Sequence, residues 1–171
     1  MNKFQTVVID PPWYERGGGK IKRGADKHYP LMKTPQIIET IIKCEHWPNV
    51  ANPSHLYMWV TNNYLAEGLK VIHALGYRYI TNFVWVKPSF GLGQYFRGQH
   101  ELCLFATKGQ GAAKLRTTRK DLSSMFVAPK SKHSKKPFYS YFLIEERSKG
   151  PYLEIFSRQE RPGWTVWGNE V

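Results

Sequence analysis

The stretch Phe4-Gln-Thr-Val-Val-Ile-Asp-Pro-Pro-Trp13 decides the fold. Its apolar, β-branched half reads as a buried strand, and the two prolines that follow fix φ, remove two backbone donors and end the strand in a rigid turn. Outward from it, Thr34 is placed to cap a helix, with Pro35 at the first helical position and Ile37, Ile38, Ile41 and Ile42 at helical spacing. Residues 55–60 form the next apolar run, and residues 64–75 an amphipathic helix stopped by Gly76. Residues 77–86 and 102–106 read as strands separated by a glycine- and aromatic-rich loop, and Met125-Phe126-Val127 as a short strand. Pro137 opens a helix to about Arg147, and residues 152–156 and 164–167 are apolar again. Such alternation predicts a single α/β domain over residues 1–171, a mainly parallel sheet with helices on both faces. Its ligand belongs at the carboxyl ends of the strands.

Composition narrows the partners. The 171 residues carry 25 Lys and Arg against 13 Asp and Glu, a net charge of +12, and 15% are aromatic. That excess favours a polyanion, nucleic acid first, and flat side chains suit unpaired bases. Cys44 and Cys103 have no CxxC spacing and no apolar run approaches membrane length, so a reducing, cytoplasmic setting without membrane insertion is expected. The six histidines lack metal-ligand spacing, and no metal is assigned. Gly17-Gly-Gly-Lys20 lacks the spacing of a phosphate loop, and Gly91-Leu-Gly93 is not a dinucleotide fingerprint.

Asp10-Pro11-Pro12-Trp13 carries the chemistry. It combines a carboxylate, backbone carbonyls left to accept and a ring that can stack, which matches a planar base with an exposed amino group such as adenine. Holding both amino hydrogens at the Asp10 carboxylate and the Pro11 carbonyl would draw the nitrogen lone pair out of the ring and stabilise the charge it develops on attacking a methyl group. No enzyme nucleophile is needed for an in-line displacement.

Asp10-Pro-Pro-Trp13 resembles the signature of the DPPW-type adenine-N6 methyltransferases, the family of the eukaryotic mRNA adenosine methyltransferase catalytic subunit. Further matches follow in order: His28-Tyr29-Pro-Leu-Met, Leu56-Tyr-Met-Trp-Val-Thr61, Phe83-Val-Trp-Val-Lys87 and Glu101-Leu-Cys-Leu-Phe. His133-Ser-Lys-Lys136-Pro137, Leu153-Glu-Ile-Phe-Ser-Arg158 and Trp164-Thr-Val-Trp-Gly-Asn169 complete them, so the likeness covers nearly the whole chain. The resemblance implies a Rossmann-like methyltransferase fold in permuted order, catalytic strand before cofactor strand, with S-adenosyl-L-methionine as donor.

By the same resemblance, Asp10, Pro11, Pro12 and Trp13 are catalytic. Asp10, Lys136, Glu154, Phe156, Ser157, Arg158, Asn169 and Glu170 are implied to hold the cofactor and Tyr29 to lie beside the target base, while Tyr14, Lys87 and, from the charge of the basic loop, Lys20, Lys22 and Arg23 are expected to meet the substrate. Two departures stand out: Gln159-Glu160-Arg161 replaces a His-Asn pair in a shortened loop, and Glu170 stands where the family has glutamine. Trp59 and Trp85, inside strands, are expected in the core. Three basic clusters, residues 16–27, Lys108 to Lys120 and Lys130 to Lys136, are expected to flank the cleft, with loop 16–28 as a lid over an extruded base. With about six phosphate contacts, log affinity falls against log salt with a slope near −5 on duplex DNA or −4 on single strands. The expected activity is methyl transfer to adenine N6 in DNA. RNA adenosine methylation is the runner-up, and a non-catalytic nucleic-acid-binding subunit the reading from another class. A homodimer or a partner subunit is expected to assist so compact a chain.

Overall fold

The computed structural model describes residues 3–14, 31–93, 95–131 and 135–168. Seven strands form one sheet: β1 (Phe4–Ile9), β2 (Val50–Val60), β3 (Arg78–Val86), β4 (His100–Lys108), β5 (Met125–Val127), β6 (Tyr152–Ile155) and β7 (Trp164–Trp167). Their order is β5-β3-β4-β2-β1-β6-β7. Only β4 runs against the rest, since it is antiparallel to both β2 and β3 while every other pair is parallel.

Strand alternation sorts side chains onto two helix-covered faces. Val7, Ile9, Leu56, Met58, Leu153 and Ile155 turn toward Ile37 and Ile41 of α1 (Thr34–Lys43) and Val71 and Ile72 of α2 (Leu65–Ala74). Val8, Tyr57, Trp59, Phe83, Trp85 and Phe126 turn toward Tyr141, Leu143 and Ile144 of α3 (Phe138–Arg147). Trp59 and Trp85 are buried there, as expected of strand tryptophans. Gly68 lets α2 sit close on β2, because a Cβ on it would lie 2.4 Å from Val60 Cγ1. This is the mainly parallel α/β sheet with helices on both faces that the sequence predicts, with the strand ending at Asp10 preceding β6 in the chain.

Helix α1 starts one residue earlier than its sequence suggests. The Thr34 hydroxyl does not cap it but donates to Glu67 Oε2 of α2 at 2.6 Å, and Lys33 becomes the cap, its N–H bonded to Gln36 Oε1 at 2.9 Å. A side chain from a neighbouring helix outcompetes the local bond.

In the middle of the central strand β2, His55 is fully buried. Its Nε2 lies 2.8 Å from the Ala112 carbonyl, which can only accept, so Nε2 carries the proton and Nδ1 accepts from Ser148 Oγ at 2.8 Å. Tyr57 then donates to Ser148 Oγ at 2.6 Å. Burial lowers the imidazole pKa, and the chain of donors has room for only the neutral ring.

Candidate active site

Strands β1 and β6 lie side by side, but the chain leaves β1 for α1 and β2 and leaves β6 for β7 on the opposite flank. That divergence is a topological switch point, where open α/β sheets place ligands. Both crest residues stand on it: Asp10 follows Ile9, and Phe156 follows Ile155, the register partner of Ile9. The Asp10 N–H reaches the Ile155 carbonyl at 3.4 Å, tying the two strand ends together.

A small cleft opens there, lined by Asp10, Lys135, Lys136, Tyr141, Glu154, Phe156, Arg158 and Gln159. Lys136 enters it from just before α3, its Nζ 2.9 Å from Asp10 Oδ1, 3.2 Å from Glu101 Oε2 and 5.2 Å from the Trp59 ring centroid. Arg158 Nη2 lies 3.7 Å from Asp10 Oδ2, and the second Glu101 oxygen accepts from Lys87. Burial alone would lower the Lys136 pKa, but the carboxylates of Asp10 and Glu101 overcome it and raise it. Burial alone would raise Glu101, yet Lys136 and Lys87 bring it down to about 2. Lys136, Lys87 and Arg158 therefore face the carboxylates of Asp10 and Glu101 in one shielded network, which places Lys136 and Arg158 where a ligand carboxylate could meet them.

Glu154 faces the same cleft from β6. Tyr141 donates to its Oε1 at 2.7 Å, while Oε2 is buried with no hydrogen-bond partner among the described residues. Desolvation raises the Glu154 pKa. A buried acceptor left unsatisfied costs about 1–3 kcal/mol, and a ligand hydroxyl would relieve it. Arg161 stacks over the Tyr141 ring at 3.2 Å, so the shortened loop 159–163 returns a cation to the pocket wall. Gly168 keeps the cradle tight, since a Cβ there would come within 2.2 Å of the Ser157 carbonyl oxygen. Together these groups fit S-adenosylmethionine: Lys136 and Arg158 suit its carboxylate, Asp10 its ammonium, the Glu154 oxygen its ribose hydroxyls and Phe156 its adenine.

The turn itself differs from its sequence reading in two respects. The Pro11 carbonyl already accepts from the Trp13 N–H at 2.9 Å and the Pro12 carbonyl from the Met32 N–H at 2.8 Å, so each retains one lone pair rather than two. Trp13 presents no stacking face: it is buried against Tyr64 at 5.4 Å, and its indole N–H donates to the Trp59 carbonyl at 3.0 Å. It braces the turn on which Asp10 stands.

Placement of the remaining residues is mixed. Lys87 does not extend toward a substrate phosphate, because Glu101 holds it and its Nζ sits 4.7 Å over the Trp85 ring. Ser157 stands beside the Glu154 carboxylate, which its hydroxyl helps to hold ionised, and donates to the Gln159 carbonyl at 2.9 Å. Tyr14 is half-buried, its carbonyl accepting from the Tyr64 hydroxyl. Lys20, Lys22, Arg23, Tyr29, Asn169, Glu170 and the lid reading of loop 16–28 lie outside the described residues. The middle basic cluster does not flank the cleft. Lys108 ends β4 at the far edge, Lys114 and Arg116 sit by the buried His55, and Arg119 is engaged by Asp121 and Glu146.

Glu101, Tyr141 and Arg161 were missed by sequence reasoning. The signal for Glu101 was the glycine-rich loop 88–98, which makes β3 and β4 a hairpin and so returns the start of β4 to the end of the sheet where Asp10 stands. Among the described residues, no helix is long and apolar enough to cross a membrane.

With this geometry in place, comparison with known proteins gives one answer. The chain is 26% identical over 99% of its length to the type II methyltransferase M.MunI of Mycoplasma sp, and spans 78% of that protein. It is 30% identical over 98% of its length to the human N(6)-adenine-specific methyltransferase METTL4, and 25% identical over its full length to the human N(6)-adenosine-methyltransferase catalytic subunit METTL3. It spans 37% and 29% of those two. The MT-A70 family matches residues 4–170, and the chain belongs to it.

Proposed function

We propose that this chain transfers a methyl group to the exocyclic N6 of adenine in DNA. The observation that carries this is the Asp10 carboxylate at the switch point, one residue from a carbonyl with a lone pair to spare and set in a cluster of buried cations. S-adenosyl-L-methionine, when bound, supplies an electrophilic methyl on sulfur. Asp10 and the Pro11 carbonyl accept the two amino hydrogens and orient the nitrogen, and the carboxylate offsets the charge that grows there. The buried Trp13 and the two prolines fix that geometry, so little reorganisation accompanies the step. Lys136 and Arg158 hold the donor's carboxylate.

DNA is preferred because two of the relatives matched over nearly the whole chain are named a type II methyltransferase and an N(6)-adenine-specific methyltransferase. Tritium transfer to DNA and RNA of matched sequence, with mass spectrometry of the released nucleosides, tests the proposal. N6-methyldeoxyadenosine is the expected product. Label confined to RNA reassigns the substrate, and label in neither refutes the activity.

A further inference from the structure

Strands β3 and β4 continue past their ends as a hairpin that leaves the sheet on the catalytic side. Lys87 N–H bonds the Gln99 carbonyl at 2.7 Å, Gly91 N–H the Gly98 carbonyl at 2.7 Å and Gly98 N–H the Leu92 carbonyl at 3.1 Å. The two arms approach so closely that only glycine fits: a Cβ at Gly93 would lie 2.0 Å from the Phe96 carbonyl oxygen. Beyond this stiff stem, Phe90, Leu92, Tyr95 and Phe96 are all exposed, Phe96 at 87% and Tyr95 completely. Tyr95 also holds a left-handed backbone, φ 59°, a conformation unfavourable for an L side chain and here unsupported by burial.

Four large apolar side chains in water on a rigid stem mark a contact surface. The charge around them selects its occupant. Residues 88–99 contain no carboxylate, Arg97 is fixed at the tip by its Nε–H to the Gly91 carbonyl at 2.6 Å, and exposed Lys130 reaches to the Gly91 turn. The stem is contiguous with the site, through Lys87, Glu101, Lys136 and Asp10 in turn. Rings flanked by cations on a stem that leads out from Asp10 match the bases of a bound strand, which stack on aromatic faces while their phosphates meet the cations.

We propose that the β3–β4 hairpin is a base-stacking platform, on which Tyr95 and Phe96 hold the bases next to the target adenine once it leaves the stack. This rests on the nucleic-acid reading above and adds a binding surface to it. Fluorescence anisotropy with a labelled adenine-containing oligonucleotide, single-stranded and duplex, over a salt series tests it. Replacing both rings in the Tyr95→Ala/Phe96→Ala variant is expected to raise Kd by roughly tenfold or more with the salt slope unchanged, because stacking releases no counterions. Phe96→Tyr is expected to retain wild-type affinity, and Arg97→Ala to reduce the single-strand slope by about 0.7. All three should melt as the wild type does, since these side chains are exposed.

Wild-type Kd in the double alanine variant overturns the platform. So does light scattering that shows a wild-type dimer broken by the same substitutions, which would assign the hairpin to a second copy. Methyl transfer by the wild-type chain separates the two levels. If transfer occurs and the double variant binds normally, the platform alone is wrong; if the wild type neither methylates nor binds, the nucleic-acid reading falls with it.

Discussion

Lys136 Nζ stands between Asp10 Oδ1 at 2.9 Å and Glu101 Oε2 at 3.2 Å, joining the catalytic turn after β1 to the first residues of β4. One ammonium thus holds together strands that run in opposite directions, and it is the group proposed to meet the cofactor's carboxylate. Lys136→Met removes the cation and leaves its shielded carboxylates short of a partner. We expect a loss on the order of 3 kcal/mol in urea unfolding and at least a tenfold weaker S-adenosylmethionine Kd by calorimetry. An unchanged Kd would remove Lys136 from the cofactor site.

Glu154 presents the opposite balance of stability and binding. Its folded pKa is raised by burial, so its contribution to stability is present below the ordinary value of 4.5 and is lost as pH rises through the folded pKa. Glu154→Gln keeps an acceptor for the Tyr141 hydroxyl and removes the ionisation. The expected outcome is a higher melting temperature of the free protein at pH 7 together with weaker cofactor binding. A variant less stable than wild type at that pH contradicts the reading.

His55 should control the acid side of the stability curve. Its folded pKa lies below 6.5, so the unfolded chain binds a proton that the folded chain refuses, and stability falls as pH drops below about 6.5. In His55→Gln the melting temperature between pH 7 and pH 5 should change less than in wild type, although the variant is weaker throughout. Parallel curves would exclude the imidazole.

Gly168→Ala probes the close approach of the loops after β6 and β7. The added Cβ meets backbone at 2.2 Å, so the 156–158 loop must shift. Cofactor Kd should rise by tenfold or more while the Asp10 side of the site keeps its ion pairs. Wild-type affinity in this variant would show that the cradle tolerates the shift.

The architecture was legible because apolar runs and helical spacing are local. The Phe4 to Ile9 run, the isoleucines of α1 and the Met125-Phe126-Val127 strand all occupy the elements their sequences suggest. Asp10, Lys136, Glu154, Phe156 and Arg158 were carried by motif resemblance, and the fold brings them to one cleft. What escaped depends on contacts distant in sequence. Glu101 joins the site only because β4 is antiparallel, and Trp13 looked like a stacking ring because nothing local announces its bond to the Trp59 carbonyl. Thr34 looked like a cap because Glu67, thirty-three residues away, is invisible to a local reading.

The central claim is that the Asp10 carboxylate holds the amine that is methylated. Single-turnover transfer of labelled methyl to adenine, with saturating S-adenosylmethionine, measures it most directly in Asp10→Asn. That variant keeps the shape and loses the charge. A fall of roughly 10²–10³-fold in the transfer rate is predicted, the scale of removing one group that stabilises developing charge. Transfer at the wild-type rate would contradict the account.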